Sequence, residues 1–290
     1  DREWRGCGLD REGREGDSFE GVDMGNLVRG VGEGVGDRLE EKGYSWFDFA
    51  KEVGEMLVEE AVEAFAASYG SAVLFDSARN RYLITRMKRI LKRTVSTLQY
   101  QLKKGAFSPE HFEVSFSVLE DLEAVNIALT GEEKLRLRGR IDRVDTWREP
   151  GQNSPSGKDR IYVKVIDYKS GSRDFSLAAL YYGLQLQLVV YLNAAVELEQ
   201  KEHPKDEVVP AAMLYYRVHD PIVEVEEEPD EDEEELVSRV QKELLGRLRM
   251  TGAVRSEEAV ITGLDAHFTG RSDVIPVERK KDGGLGGRSR

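Results

Sequence analysis

The sequence predicts an α/β fold, one sheet-bearing unit with helical surroundings. Ile161, Val163, Val165, Asp167 and Lys169 alternate with Tyr162, Lys164, Ile166 and Tyr168, the period-two pattern of a strand. Leu83, Met87, Ile90, Leu91, Leu98 and Leu102 instead recur at helical spacing, opposite Arg86, Lys88, Arg89, Lys92, Arg93, Lys103 and Lys104. Helical patterns fill the chain before residue 104, and strand patterns begin only after residue 111.

In chain order, the first helical pattern covers 24 to 42, but Gly25, Gly30, Gly32, Gly34 and Gly36 crowd it. Each interior glycine costs roughly 0.5 to 1 kcal/mol against alanine, so this helix is expected to be frayed or marginal. Helices follow over 46 to 68 and 76 to 103, then strands near 112 to 118 and 134 to 145. Glu149 to Asp159 reads as a loop longer than a tight hairpin needs, and Gly157-Lys158 lacks the spaced glycine of a phosphate-binding loop, so no ATP site is expected. A strand over 161 to 169, a helix over 176 to 198, strands near 211 to 217 and 222 to 226, and a helix over 232 to 250 complete the pattern. The expected organisation is a polar segment over 1–22, one domain over 23–277 with its core at about 108–226, and a flexible, Gly-rich tail over 278–290. There is no internal repeat.

The net charge of -13 sits oddly with a nucleic-acid partner, but much of it comes from Glu224 to Glu235, an acidic run that reads as a solvated loop. Elsewhere the basic residues are grouped. Arg89, Lys92 and Arg93 on the basic helix, and Lys134, Arg136, Arg138, Arg140 and Arg143 around Asp142, are candidates for phosphate contacts that give affinity without base reading. A solvated basic face serves equally well as an explanation. No apolar run approaches 18 residues, so no membrane partner is expected. The start, DREWRGCGLD, is polar and carries no signal-peptide pattern, and a single cysteine supports no disulfide framework, which suits the cytoplasm. His111, His203, His219 and His267 lack ligand-like spacing and read as surface or hydrogen-bonded residues; Trp4, Trp46 and Trp147 read as packing anchors.

The chemistry concentrates between Gly139 and Tyr191. Asp167 and Lys169 share one face of their strand, and Asp142 ends the alternating run Leu135, Leu137, Gly139, Ile141, which suggests a strand terminus. Two carboxylates suit the hard oxygen preference of Mg2+, and a neighbouring lysine can orient a water or neutralise a phosphate. Gln187 and Tyr191 are four apart and so stack on one helix face. Taken singly, each feature is commonplace: D-x-K on a strand is often an exposed ion pair, and Q-x-x-x-Y can be the polar edge of a buried helix. The order of acid, D-x-K strand and Q-x-x-x-Y helix is what points to a metal-dependent nuclease.

The pieces GRIDRVD (139 to 145), IDYKSG (166 to 171) and YGLQLQLVVYL (182 to 192) resemble the PD-(D/E)XK nuclease family in its RecB-like branch, above all the nuclease domain of the B subunits (AddB, RexB) of bacterial helicase-nucleases. Phe112 to Phe116 and Asp265 to Val277 extend the resemblance over nearly the whole chain. It implies a restriction-endonuclease-like core, a mixed sheet flanked by helices, with additional N-terminal helices. It also implies that Asp142 and Asp167 bind Mg2+ (or Mn2+ in its place), with weaker help from Glu113, that Lys169 is the catalytic lysine, and that Gln187 and Tyr191 form the family's Q-x-x-x-Y motif. DNA is the implied substrate, a helicase-nuclease A subunit (AddA-like) the implied partner, and double-strand break processing in the bacterial cytoplasm the implied role.

Two departures from the family stand out. Arg29 occupies the helix position where the family usually has a metal-ligating histidine, and a guanidinium has no lone pair to donate. A competing expectation follows: a nuclease fold with a weakened metal site, kept for DNA binding and subunit docking. The family's four-iron four-sulfur cluster needs four cysteines, whereas Cys7 is alone and aligns with an aromatic position, so no cluster is expected in these residues. The simplest explanation is a piece of a longer protein, cut at both ends.

Overall fold

A computed structural model describes residues 22–68, 78–116, 126–128, 134–136, 139–152, 157–171, 174–225 and 232–286. Trp4, Cys7, Arg138 and the side chains of Asp23 to Arg29, Lys134 and Arg136 lie outside what it describes, and with them the expectations placed there.

Three helices come first: α1 (Val22–Glu41), α2 (Lys51–Ser68) and α3 (Ala78–Lys103). Strands β1 (Ser108–Ser115), β2 (Asn126–Ala128), β3 (Lys134–Arg136), β4 (Arg140–Glu149) and β5 (Arg160–Lys169) follow. After them come α4 (Leu177–Tyr181), α5 (Gln187–Glu202), β6 (Glu207–Arg217), α6 (Glu233–Arg247), β7 (Thr251–Val254) and α7 (Glu258–Leu264). The main sheet has the order β1-β4-β5-β6-β7, and β2 and β3 form a separate pair. β5 and β6 are parallel and every other neighbouring pair is antiparallel, so the sheet is mixed. Parallel strands need a crossover, and α5 supplies it.

The pleat divides the core in two. Tyr162, Ile166 and Tyr168 point to the face covered by α1, α2, α3 and α7, where they meet Val35, Leu57, Leu91 and Ile261. Ile161, Val163 and Val165 point the other way, onto Leu188, Tyr191, Ala194 and Ala195 of α5. A strand buried on both faces reads as a near-continuous apolar run, which is why Ile161 to Ile166 carries only one charged residue, Lys164. Trp46 stacks on Phe112 and Trp147 on Tyr162, so both tryptophans anchor the helical face of the sheet.

The glycines of α1 do not break it; the helix runs unbroken from Val22 to Glu41. A Cβ at Gly36 would meet the Phe112 ring at 3.3 Å and one at Gly30 the Phe65 ring at 3.4 Å, so these glycines let α1 approach β1 and α2 closely. The packing supplies what propensity lacks. Gly32 is different, because nothing lies within 4 Å of its would-be Cβ. Gly32→Ala is therefore expected to stabilise the protein by about 0.5 to 1 kcal/mol, read as a higher urea midpoint with an unchanged slope.

Other boundaries differ from expectation for identifiable reasons. The helix expected over 176 to 198 is two helices, broken where Gly183 adopts a φ of 75°. The strand expected at 222 to 226 does not form among the described residues; the fifth strand is β7, paired with β6 through Ala212 and Val254. Gly252 permits that pairing, since a Cβ there would lie 2.2 Å from the Met213 carbonyl oxygen. The acidic run is not all loop: Asp232 caps α6 by accepting from the Glu235 amide, and Glu233, Glu234 and Glu235 complement the positive end of the helix dipole. Residues 278–286, expected as part of a flexible tail, fold back through bridges Arg271 to Glu278 and Arg279 to Leu285, with Leu285 against the core.

Candidate active site

Pleat and register together decide which side chains meet. β1 and β4 pair through Phe112 with Arg143 and Val114 with Ile141, which sets Glu113 opposite Asp142. β4 and β5 pair up to Arg143 with Ile166, and one step further the ladder sets Asp142 opposite Asp167. β5 and β6 pair Asp167 with Tyr215. Glu113, Asp142, Asp167 and Tyr215 thus form a row across four strands on the α5 face, with directly opposed Cβ atoms about 4.5–5.5 Å apart in such ladders. Lys169 is two residues beyond Asp167 and shares the face. Asp142 is the third residue of β4, near the start of its strand and not the end.

Hydrogen bonds fix the row. Asp142, 3% exposed, accepts from the Tyr168 amide through Oδ2 at 2.8 Å. Asp167 is fully buried; its Oδ1 accepts from Gln187 Nε2 at 3.0 Å and its Oδ2 lies 2.6 Å from Lys169 Nζ. Lys169 also donates to Gln187 Oε1 at 3.0 Å, and Gln187 Nε2 lies 2.8 Å from the Tyr191 hydroxyl. Gln187 is the first residue of α5, so the break at Gly183 is what brings its amide down to the acids. Burial raises the Tyr191 pKa against the opposing hydrogen bond from Gln187, with the charges of Asp167 and Asp142 adding to the rise, so the phenol stays neutral. The Lys169 ammonium also sits 5.2 Å above the Tyr215 ring, and Phe116 packs edge-on against Tyr191. Neither Tyr215 nor Phe116 was marked by the sequence; both fall on the face only through strand pairing.

Glu113 has a φ of 54°, the only positive value at a non-glycine among the described residues. Residues held in such a sparsely populated region cluster at functional sites. Its Oε2 pairs with Arg140 Nη1 at 2.8 Å, and Glu113, Ser115, Gly139, Arg140 and Tyr191 line a cleft that opens beside the row. Asp142 and Asp167, opposed on neighbouring strands with Lys169 beside them, offer the hard oxygen donors that suit a divalent cation of the Mg2+ type, and Glu113 lines the cleft next to them. Glu113, Asp142 and Asp167 are the residues that could hold it.

The other described cations fall elsewhere. Arg143 is 1% exposed and lies on the opposite face of β4, bound to Asp145 through Nε at 2.5 Å and Nη2 at 2.9 Å, so it does not surround Asp142. On α3, Arg89 and Arg93 both pair with Asp220, and Lys92 reaches Glu59 at 2.6 Å and Glu55 at 3.7 Å. That helix packs on the sheet face away from the acids. Among the described residues, Arg140, with a half-exposed side chain, is the candidate phosphate contact beside the row.

The profile of the PD-(D/E)XK nuclease superfamily matches residues 21–262. The chain is 40% identical over 295 aligned positions to the B subunit of the ATP-dependent helicase/deoxyribonuclease of Lachnoclostridium phytofermentans, covering 97% of this chain and 23% of the relative. It is 35% identical to the protein of the same name from Alkaliphilus metalliredigens, with 90% of this chain and 21% of that one covered. The counterpart from a Thermoanaerobacter species is 32% identical, with 98% and 23% covered. The chain therefore spans less than a quarter of the length of these relatives. With the mixed sheet, the row of acids and the matched profile in agreement, the chain belongs to the PD-(D/E)XK nuclease superfamily.

Proposed function

We propose that this chain is a Mg2+-dependent deoxyribonuclease domain that hydrolyses phosphodiester bonds of a DNA strand. The observation that carries the reading is the alignment of Glu113, Asp142 and Asp167 in one row with Lys169 beside it. The three carboxylates would hold the cation, with Mn2+ as a substitute. When bound, it supplies Lewis-acid stabilisation of charge developing on the phosphate.

The protein's own groups do the rest. Lys169 is the cation beside the row; its ammonium orients the attacking water or meets the negative charge of the scissile phosphate. Gln187 bridges Asp167, Lys169 and Tyr191 with one amide, so it holds the acid and the lysine in a fixed relation. The neutral Tyr191 hydroxyl supports that amide. Arg140 exchanges Glu113 for a backbone phosphate when DNA enters the cleft. Arg89, Lys92 and Arg93 would have to release Asp220, Glu55 and Glu59 to do the same, so we assign them a secondary part in DNA binding.

The relatives' names carry the wider setting. We infer a B-type subunit that acts with a helicase-nuclease A subunit on DNA in the bacterial cytoplasm during double-strand break processing and recombinational repair. Cys7 alone cannot hold an iron–sulfur cluster, so none is assigned to these residues. Among the described residues, no helix is long and apolar enough to cross a membrane.

The test is a Mn2+ and Mg2+ titration of the chain with labelled single-stranded DNA. Cleavage that rises with the metal and saturates supports the reading. Metal-independent DNA binding with no nicking would instead support the weakened scaffold, for which Arg29 and the Glu113–Arg140 pair are the grounds.

A further inference from the structure

At the other end of α5, a second group of ligating side chains comes together. His111 of β1 and Glu199 and Glu202 of α5 each offer a nitrogen or carboxylate oxygen, and the three atoms lie within 4.8 Å of one another. Twelve residues separate Gln187 from Glu199, about 18 Å of helix at 1.5 Å per residue, so this group is remote from the catalytic row.

Its most telling member is Glu199, a helix residue only 2% exposed. A buried carboxylate is costly unless positive charge or hydrogen bonds compensate it. Glu199 Oε1 and His111 Nε2 face each other at 3.3 Å as an ion pair without the alignment of a good hydrogen bond, and neither atom has another hydrogen-bond partner. The other nearby base is His203, 3.9 Å from Oε2, and both imidazoles carry charge only when protonated. A separation of 3.3 Å suits two donors on one ion, because metal bonds of about 2.0–2.1 Å put neighbouring tetrahedral donors about 3.3–3.4 Å apart. The backbone is arranged to the same end. The β1–β4 register shifts between Pro109 and His111, and bulges of this kind re-aim a side chain. The shift sets His111 opposite Val144, whose side chain packs on the α5 face.

We propose that His111, Glu199 and Glu202 form a second divalent-cation site, selective for a borderline cation such as Zn2+, that pins the edge strand β1 to the last turn of α5. One imidazole and two carboxylates match the donor preferences of such ions better than those of Mg2+. Glu202 is exposed and leaves the fourth position to water, so the ion can enter without unfolding. The role is structural, because the group ties two elements of the scaffold together far from the catalytic row, and the proposal stands whether or not the chain is a nuclease.

The experiment uses the whole chain carrying Asp142→Asn and Asp167→Asn, stripped of metal and titrated with Zn2+ by calorimetry, with thermal unfolding followed in parallel. The proposal expects about one equivalent of Zn2+ to bind and the melting temperature to rise. Adding Glu202→Gln, a surface change that leaves the buried contacts alone, or His111→Asn, should weaken binding by at least about tenfold, since losing even an outer partner of a ligand costs 10–100-fold. Far-UV circular dichroism confirms that each variant is folded. The proposal is overturned if the starting variant binds no Zn2+ with a rise in melting temperature, which leaves a plain His111–Glu199 ion pair. It is equally overturned if binding survives both further substitutions.

Discussion

Asp167→Ala is expected to lower metal-stimulated cleavage of single-stranded DNA by about 1000-fold or more, since a lost metal ligand removes several kcal/mol of transition-state stabilisation. Asp167 is the hub of the row: it binds Gln187, contacts Lys169 and sits across from Asp142. Lys169→Ala is expected to cost about 100- to 1000-fold, the range for removing one preorganised charge-stabilising group. The two variants should differ in a second measurement. Asp167→Ala should lose Mn2+ affinity, whereas Lys169→Ala should keep it, because lysine is no ligand and its removal frees Oδ2 of Asp167. Asp167→Asn preserves the shape of the buried side chain and guards against a folding defect. Cleavage at the original rate in both positions would remove the basis for the mechanism.

Asp145→Asn is expected to destabilise the fold by about 3–5 kcal/mol, the range for removing one partner from a buried ion pair. Asp145 is fully buried between Arg143 and Lys164, the latter at 2.8 Å, and the guanidinium also lies over the Trp46 and Phe112 rings. Two cations therefore share one anion on the sheet face opposite the row of acids. Burial alone would raise the Asp145 pKa, but Arg143 and Lys164 outweigh it and hold the carboxyl below its ordinary range. For Lys164, burial and then the charge of Arg143 prevail over attraction to Asp145 and lower its pKa. The sign for Asp145 follows from linkage. A carboxyl with a depressed folded-state pKa contributes its stability above the unfolded-state value, about 3.9, and loses it as pH falls through the folded-state value. The gap between the parent chain and Asp145→Asn should thus be full above about pH 5 and shrink below about pH 4. Urea unfolding across that range reads it directly. In a Lys164→Met background the same substitution should cost less, because one of the stranded charges is gone. A pH-independent gap would mean that Asp145 is protonated in the fold.

The grouping of the candidate site residues was more legible in the sequence than their surroundings. Asp142, Asp167, Lys169, Gln187 and Tyr191 were marked by order and spacing, and hydrogen bonds join all five through Gln187, Tyr168 and the β4–β5 ladder. Alternation within one strand gives facing, so Asp167 and Lys169 could be read directly. Tyr215 and Phe116 could not, because strand order and register depend on contacts far apart in sequence. The same limit hid Arg143. Its place beside Asp142 in the sequence suggested a phosphate contact, yet successive residues on a strand point to opposite faces. β7 escaped because four residues with a central glycine carry almost no strand signal, while Ile222 to Glu226 alternates well in sequence, yet its described part, Ile222 to Val225, forms no strand. The glycines of α1 misled in the other direction. Propensity predicted fraying, but close packing on Phe65 and Phe112 decides. His111 was read as a surface or hydrogen-bonded residue, and its ion pair with Glu199 fits that reading, but no local spacing could name a partner so far along the chain.

A crystal of the chain soaked in Mn2+ and measured at the manganese absorption edge tests the central claim most directly. The account predicts one strong anomalous peak within ligand distance of both Asp142 and Asp167, with Glu113 or a water beside it. Density confined to other surfaces, with Lys169 still holding Asp167 as a closed ion pair at saturating Mn2+, would contradict it.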